Sequence, residues 1–148
     1  MVDLRFSSAL QSLLSLAYAH NQGIAVISSA QLAHGLNANP SFVRKLMAPL
    51  AEAGLVASVH GKLGGLQLAR APGDITLADI YLAVSPDKKM LAARNDIEHR
   101  CKVTSNIDRL MGDISRRAEV ALLDSLQSST LQDCLNDYVL TQPCPHET

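Results

Sequence analysis

Residues 39–54 read Asn39-Pro40-Ser41-Phe42-Val43-Arg44-Lys45-Leu46-Met47-Ala48-Pro49-Leu50-Ala51-Glu52-Ala53-Gly54. Asparagine caps a helix well, proline suits its first position and glycine suits its stop, so this stretch predicts one helix. Phe42, Val43, Leu46, Met47 and Leu50 are its expected inner face; Ser41, Arg44, Lys45, Ala48 and Glu52 are its outer face. Pro49 lacks the N–H that would bond the Lys45 carbonyl, so the last turns are expected to bend or shorten.

Upstream, Ser28-Ser29 offers a cap for a short helix burying Ala30, Leu32, Ala33 and Leu36, and Asn37-Ala38-Asn39 forms a three-residue turn into the helix above. Before that, Phe6, Leu10, Leu13, Leu14 and Ala17 make one apolar helical stripe, which Gly23 ends; a β-branched run, Ile24 to Ile27, follows. Downstream, Leu55–His60 and Leu66–Arg70 flank Gly61-Lys62-Leu63-Gly64-Gly65 and read as a β-hairpin.

A short helix, a tight turn and a second helix with a basic outer face make a helix-turn-helix, and the hairpin supplies a wing. Such a helix can enter the DNA major groove with its N-terminal residues near base edges while its inner face packs on the protein. The candidate DNA-binding residues are Ser29, Ser41, Arg44 and Lys45, with His60, Gly61 and Lys62 at the wing, where glycines allow close approach to a backbone.

The 148 residues suffice for one domain or a domain with an arm. Hydrophobic residues make up 47% and aromatics only 3%, which favours packed helices over a β-sandwich and argues against single-strand binding on aromatic platforms. The net charge of −1 predicts no nucleic-acid partner by itself. Its distribution is more telling: within residues 1–70, Arg5, Arg44, Lys45, Lys62 and Arg70 face only Asp3 and Glu52, whereas residues 71–148 are acidic. No twenty-residue apolar span and no leader pattern is read, so a soluble, cytoplasmic protein without membrane contact is expected.

Two later stretches, Thr76-Leu77-Ala78-Asp79 and Thr130-Leu131-Gln132-Asp133, share the capping-box form and predict helices running to Val84 and to about Val139. Ser85 to Glu98 reads as a polar loop. Thr104 to about Leu126 is the longest helical candidate, with Ile107, Leu110, Met111, Ile114, Ala118, Ala121, Leu122 and Ser125 on one face. The fold class is therefore mainly α: a winged helix-turn-helix unit over 1–74, a linker helix, loop and long helices over 75–140, and a flexible tail over 141–148.

Three cysteines form no disulfide framework and no C-x-x-C pair. Cys101 lies between Arg100 and Lys102 ahead of the long helix, and both the cations and the helix N-terminus favour a thiolate there. Cys134 shares a stripe with Leu131, Leu135 and Tyr138 and is expected in the core. Cys144, with His146, belongs to the tail. An enzyme using His99 and Cys101 is disfavoured, because no orienting acid, oxyanion hole or cofactor motif accompanies them.

Ser28-Ser29-x-Gln31-Leu32-Ala33, Asn39 to Leu46, and Leu50-x-x-Ala53-Gly54-Leu55-Val56-x-Ser58-x-x-Gly61-x-x-Gly64-Gly65 resemble the Rrf2 family of bacterial winged-helix regulators. Leu66-x-Leu68-Ala69-Arg70 and Ile75-Thr76-Leu77-x-Asp79-Ile80 continue the resemblance, which covers about residues 1–140. It implies a homodimeric transcription regulator, usually a repressor, that reads palindromic double-stranded DNA, with the long helix crossing its mate through Ile107, Leu110, Met111, Ile114, Ala118, Ala121 and Leu122. Where the family often has arginine before the wing glycine, this chain has His60. The iron–sulfur members hold their cluster with three closely spaced cysteines; here only Cys101 lies in that loop, so no cofactor is expected. Cys101 becomes the candidate sensor of an oxidant or small-molecule effector. Two alternatives stand beside this reading: a mixed-ligand cluster recruiting Asp96, Glu98 and His99 across the dimer, and a winged-helix module that binds protein and not DNA.

Overall fold

The computed structural model describes residues 3–86 and 89–142. Cys144 and His146 of the expected tail lie outside the described residues. The chain runs α1 (Arg5–Asn21), α2 (Ser29–Leu36), α3 (Pro40–Glu52), β1 (Val56–Val59), β2 (Gly65–Leu68), a 3-10 turn (Pro72–Asp74), α4 (Leu77–Val84), α5 (Ile107–Gln127) and α6 (Leu131–Cys134), and a π-turn follows at Leu135–Val139. It is a winged helix-turn-helix with a long C-terminal helix.

Local chemistry sets the helix ends. Gly23 takes φ +81° just past α1. Ser28, not Ser29, caps α2: its hydroxyl accepts from the Gln31 N–H at 3.1 Å, and the Gln31 side chain accepts from the Ser28 N–H at 2.9 Å. Asn37, at φ 51°, turns the chain by the left-handed conformation that asparagine tolerates. The Asn39 side chain then caps α3 by accepting from the Phe42 N–H at 2.8 Å.

Val43, Leu46, Met47 and Leu50 seal the inner face of α3 against Leu13, Leu16, Ala17 and Leu32, in a core that also takes in Ile75, Ile80, Val84, Leu131 and Leu135. Both halves of the chain thus share one core, and each fully buried leucine or isoleucine contributes about 1.5–3 kcal/mol. Phe6 also meets Tyr81 edge-on, with centroids 5.9 Å apart.

Several expectations need correction. Phe42 is 37% exposed and outside the buried core, because it stands in the first turn of α3, at the end of the buried face. Ala30 is exposed, since α2 is short enough that only Leu32 and Ala33 are fully covered. Pro49 does not shorten α3, which continues to Glu52: the lost bond lies on the turn of exposed Lys45, and the Pro49 carbonyl still accepts from the Ala53 N–H at 3.0 Å. The long helix starts at Ile107, not Thr104, because the preceding residues are tied into a turn around Thr104 and Cys101. The last helix changes to a π-turn at Leu135, whose carbonyl accepts from the Leu140 N–H at 2.8 Å, and this wider turn leaves Tyr138 77% exposed, off the Leu131–Leu135 stripe.

The wing is an antiparallel pair with Val56 opposite Leu68 and Val59 opposite Gly65. Ile27 and Leu66 exchange both backbone hydrogen bonds, at 3.0 and 2.7 Å, and dock the wing on the segment before α2. The contact requires glycine at 65, since a Cβ there would stand 2.5 Å from the Ile27 oxygen. Arg70 fastens the other end: it donates to the Ala53 carbonyl at 3.0 Å, near the negative end of α3, and pairs with Asp79 at 3.9 Å. The two capping boxes lie side by side, with the Leu77 N–H donating to Ser129 and the Leu131 N–H to Ile75.

Gly65→Ala should cost about 1–3 kcal/mol in chemical denaturation, because the backbone at Ile27 must give way. Gly73→Ala, where an added methyl meets open space, should leave stability unchanged or raise it by up to about 1 kcal/mol.

Candidate nucleic-acid interface and sensor loop

With the inner face of α3 sealed, Ser41, Arg44 and Lys45 point to solvent. Arg44 donates to the Ser41 hydroxyl at 3.2 Å, which lays the guanidinium back toward the N-terminal turn. That turn carries the positive end of the helix dipole, so a basic side chain and free N–H groups act on the same region. His60, Gly61 and Lys62 are exposed at the wing tip, and Gly61, at φ +114°, makes the turn that only glycine adopts readily. Gly64 packs so close to Val59 that a Cβ would lie 2.1 Å from its oxygen. Ser29 is half-buried in the first turn of α2.

Charge pairing divides the basic groups in two. Arg5, Arg70, Arg94, Arg100 and Arg116 each pair with a carboxylate: Asp3, Asp79, Asp96, Glu98 and Asp113. Among the described residues, Arg44, Lys45 and Lys62 on α3 and the wing have no acidic partner within salt-bridge distance, a property they share with Lys89, Lys102, Arg109 and Arg117 in the C-terminal half. Their charge is left for an external anion. Arg70, counted in the basic surplus of the first half, is spent on the fold, and its pairing with Ala53 was not legible from composition.

The loop before α5 holds Cys101 exposed. The Thr104 N–H donates to its sulfur at 3.5 Å and the Thr104 hydroxyl lies 3.6 Å from it. These bonds, with a smaller one from the Val103 backbone, hold the thiol below its ordinary pKa. The expected cause was different: α5 begins six residues later and Arg100 is turned to Glu98, so Thr104 does what the flanking cations were expected to do. Burial and the neighbouring Asp133 and Asp137 push the half-buried Cys134 thiol up.

The candidate mixed ligands are each engaged: Asp96 by Arg94, Glu98 by Arg100, and His99 by Asp108 at 3.5 Å. No group of three His, Cys, Asp or Glu side chains converges among the described residues in a way that suits a metal ion. This donor set does not fit an iron–sulfur cluster within one chain.

On α5, Leu110 is 52% exposed and Ala121 is exposed; Ile107, Met111, Ile114, Ala118 and Leu122 are half-buried. Within its own chain this helix fully buries only Ser115. A cavity of about 350 Å³ lies between residues 89–93 and α5, lined by Leu91, Asp108, Met111, Ser115, Arg116 and Glu119 among others. No described helix is long and apolar enough to cross a membrane.

Residues 2–137 match the family model described as Rrf2, iron-dependent transcriptional regulator. YwnA of Bacillus subtilis, an HTH-type protein, is 28% identical over 109 residues, 74% of this chain and 81% of YwnA. Among solved structures, IscR of T. potens superposes with a TM-score of 0.69 at 25% identity, covering 97% of this chain and 92% of IscR. CymR of B. subtilis, described as a global cysteine regulator, gives 0.65 at 25% identity over 92% and 96%. These are regulators, not enzymes, and His99 and Cys101 face separate partners, Asp108 at 3.5 Å and Thr104 at 3.6 Å.

Thr104→Val removes the hydroxyl and keeps the backbone donor. The pH midpoint of Cys101 alkylation should lie below that of a free thiol in the wild type and rise toward it in the variant, with slower reaction at neutral pH. An identical midpoint would show that the hydroxyl plays no part.

Proposed function

The chain belongs to the Rrf2 family of transcriptional regulators, and we propose that it is a homodimeric repressor that reads a palindromic operator in the cytoplasm and releases it on a signal received near Cys101. The observation that carries this reading is the placement of charge: outward Arg44 and Lys45, without carboxylate partners, stand on a groove-sized helix flanked by a glycine-tipped wing. In the proposed complex the N-terminal half of α3 enters the major groove with Ser41, Arg44 and Lys45 at base edges and phosphates. Ser29 contacts phosphate, and His60, Gly61 and Lys62 reach the adjacent minor groove.

The apolar stripe of α5, partly open to solvent within one chain, supports the dimer. A helix of 21 residues spans about 31 Å, and the stripe along it meets the same stripe of a second copy across a twofold axis. Such a dimer would present two copies of α3 one helical turn of DNA apart, about 34–36 Å, or a modest multiple of it.

The input is a thiol reaction. The Cys101 thiolate attacks the terminal oxygen of a hydroperoxide and the O–O bond breaks; sulfur retains that oxygen as a sulfenic acid, while the other oxygen leaves as water or an alcohol after protonation. Loss of the thiolate releases the Thr104 hydrogen bonds that shape the start of α5 and shifts the spacing of the two recognition helices. A second reading, a non-covalent ligand, is favoured by the cavity beside α5, since its lining includes Met111 of the dimer stripe.

Arg44→Ala/Lys45→Ala should weaken operator binding at least about a hundredfold and leave the dimer intact in sedimentation. Where these groups meet phosphate, each lost contact should reduce the slope of log affinity against log salt by about 0.9. A protein whose affinity for its own promoter is immeasurable at low salt would refute DNA binding and favour a protein-binding winged helix. Cys101→Ser should keep operator binding and lose the response to hydroperoxide; a retained response would transfer the input to the cavity.

A further inference from the structure

Resting on the DNA-binding reading above, we infer that Phe42 is a base-reading residue whose ring contacts the 5-methyl group of a thymine in the major groove. Phe42 is the third residue of α3, and its backbone is fixed by two bonds from its N–H to Asn39, at 2.8 Å to the side chain and 3.1 Å to the carbonyl. The next residue, Val43, is completely buried, whereas Phe42 keeps 37% of its surface exposed. Its surface neighbour three residues on is Lys45, and Ser41 precedes it, both exposed. An aromatic ring thus stands at the leading end of the recognition helix, among groups with hydrogen-bonding and charged ends.

A ring in that position has one apolar counterpart on DNA. Base edges in the major groove present donors and acceptors, and the thymine methyl is their apolar feature. Arg44 and Lys45 supply attraction to phosphate and to guanine acceptors, which a polar helix end would provide without an aromatic. Phe42 adds what they lack, discrimination of thymine from cytosine through the methyl group. The rigid cap at Asn39 makes this contact geometrically selective, since the ring is carried on a backbone that is already ordered before binding.

The test uses the wild-type chain and duplexes that it recovers from a random-sequence pool. Thymines of a recovered site are replaced by deoxyuridine, one symmetric pair at a time, which removes the methyl and nothing else. At one pair the wild type should lose about three- to tenfold in affinity, the scale expected for an apolar contact of one methyl per half-site. Phe42→Ala should bind the thymine and deoxyuridine duplexes equally. Wild-type binding that is indifferent to deoxyuridine at every pair overturns the inference and leaves DNA binding standing, and it does so without reliance on the variant. Discrimination that survives in Phe42→Ala also overturns it. Failure of the wild type to recover any duplex overturns the DNA-binding reading and this inference together.

Discussion

The burial of one face of α3 is the constraint on which the rest of the molecule depends. Val43, Leu46, Met47 and Leu50 follow the helical period and are all but sealed from water. Once they are seated on α1 and α2, a helix of 3.6 residues per turn has no freedom left in its rotation. Ser41, Arg44 and Lys45 must face outward, and the Asn39 cap must direct the N-terminal turn to solvent. The outward set therefore follows from the inward one. Replacing Leu50 with alanine would remove contacts worth about 2–5 kcal/mol and loosen the orientation of the charged face at the same time.

The wing is positioned by the same body through two fastenings of different chemistry. At one end the Ile27–Leu66 exchange is pure backbone and tolerates no side chain at Gly65. At the other, Arg70 links the end of α3 to Asp79 in the first turn of α4. Recognition helix and wing are thus held in one frame. The adjacent capping boxes at Thr76 and Thr130 carry that frame into the C-terminal half, where α5 stands with much of its apolar stripe uncovered. Between the two halves stands α4, which touches both α3 and α5.

Much of this was legible in the residues. The N-cap and proline at Asn39-Pro40, and the two threonine boxes, name their helix starts to the residue, because capping is a local interaction with a fixed spacing. The wing was legible from its glycines. Phe42 was not: hydrophobicity assigned it inward, but it stands in the first turn of α3 and keeps 37% of its surface exposed. Arg70 and Thr104 were missed for another reason. Their roles depend on contacts, with Ala53 across the fold and with a sulfur in a turn, that no periodicity encodes. The switch to a π-turn at Leu135 likewise reflects tertiary packing and left no local signal.

Chemical footprinting with dimethyl sulfate tests the central claim most directly, since the reagent reports guanine N7 in the major groove and adenine N3 in the minor groove of one bound duplex. The account predicts two zones of guanine protection centred about one helical turn apart, related by the operator's twofold axis, each flanked by protected adenines where the wings lie. Protection without any guanine signal, or a single zone with no symmetric counterpart, would contradict a pair of α3 helices seated in successive major grooves.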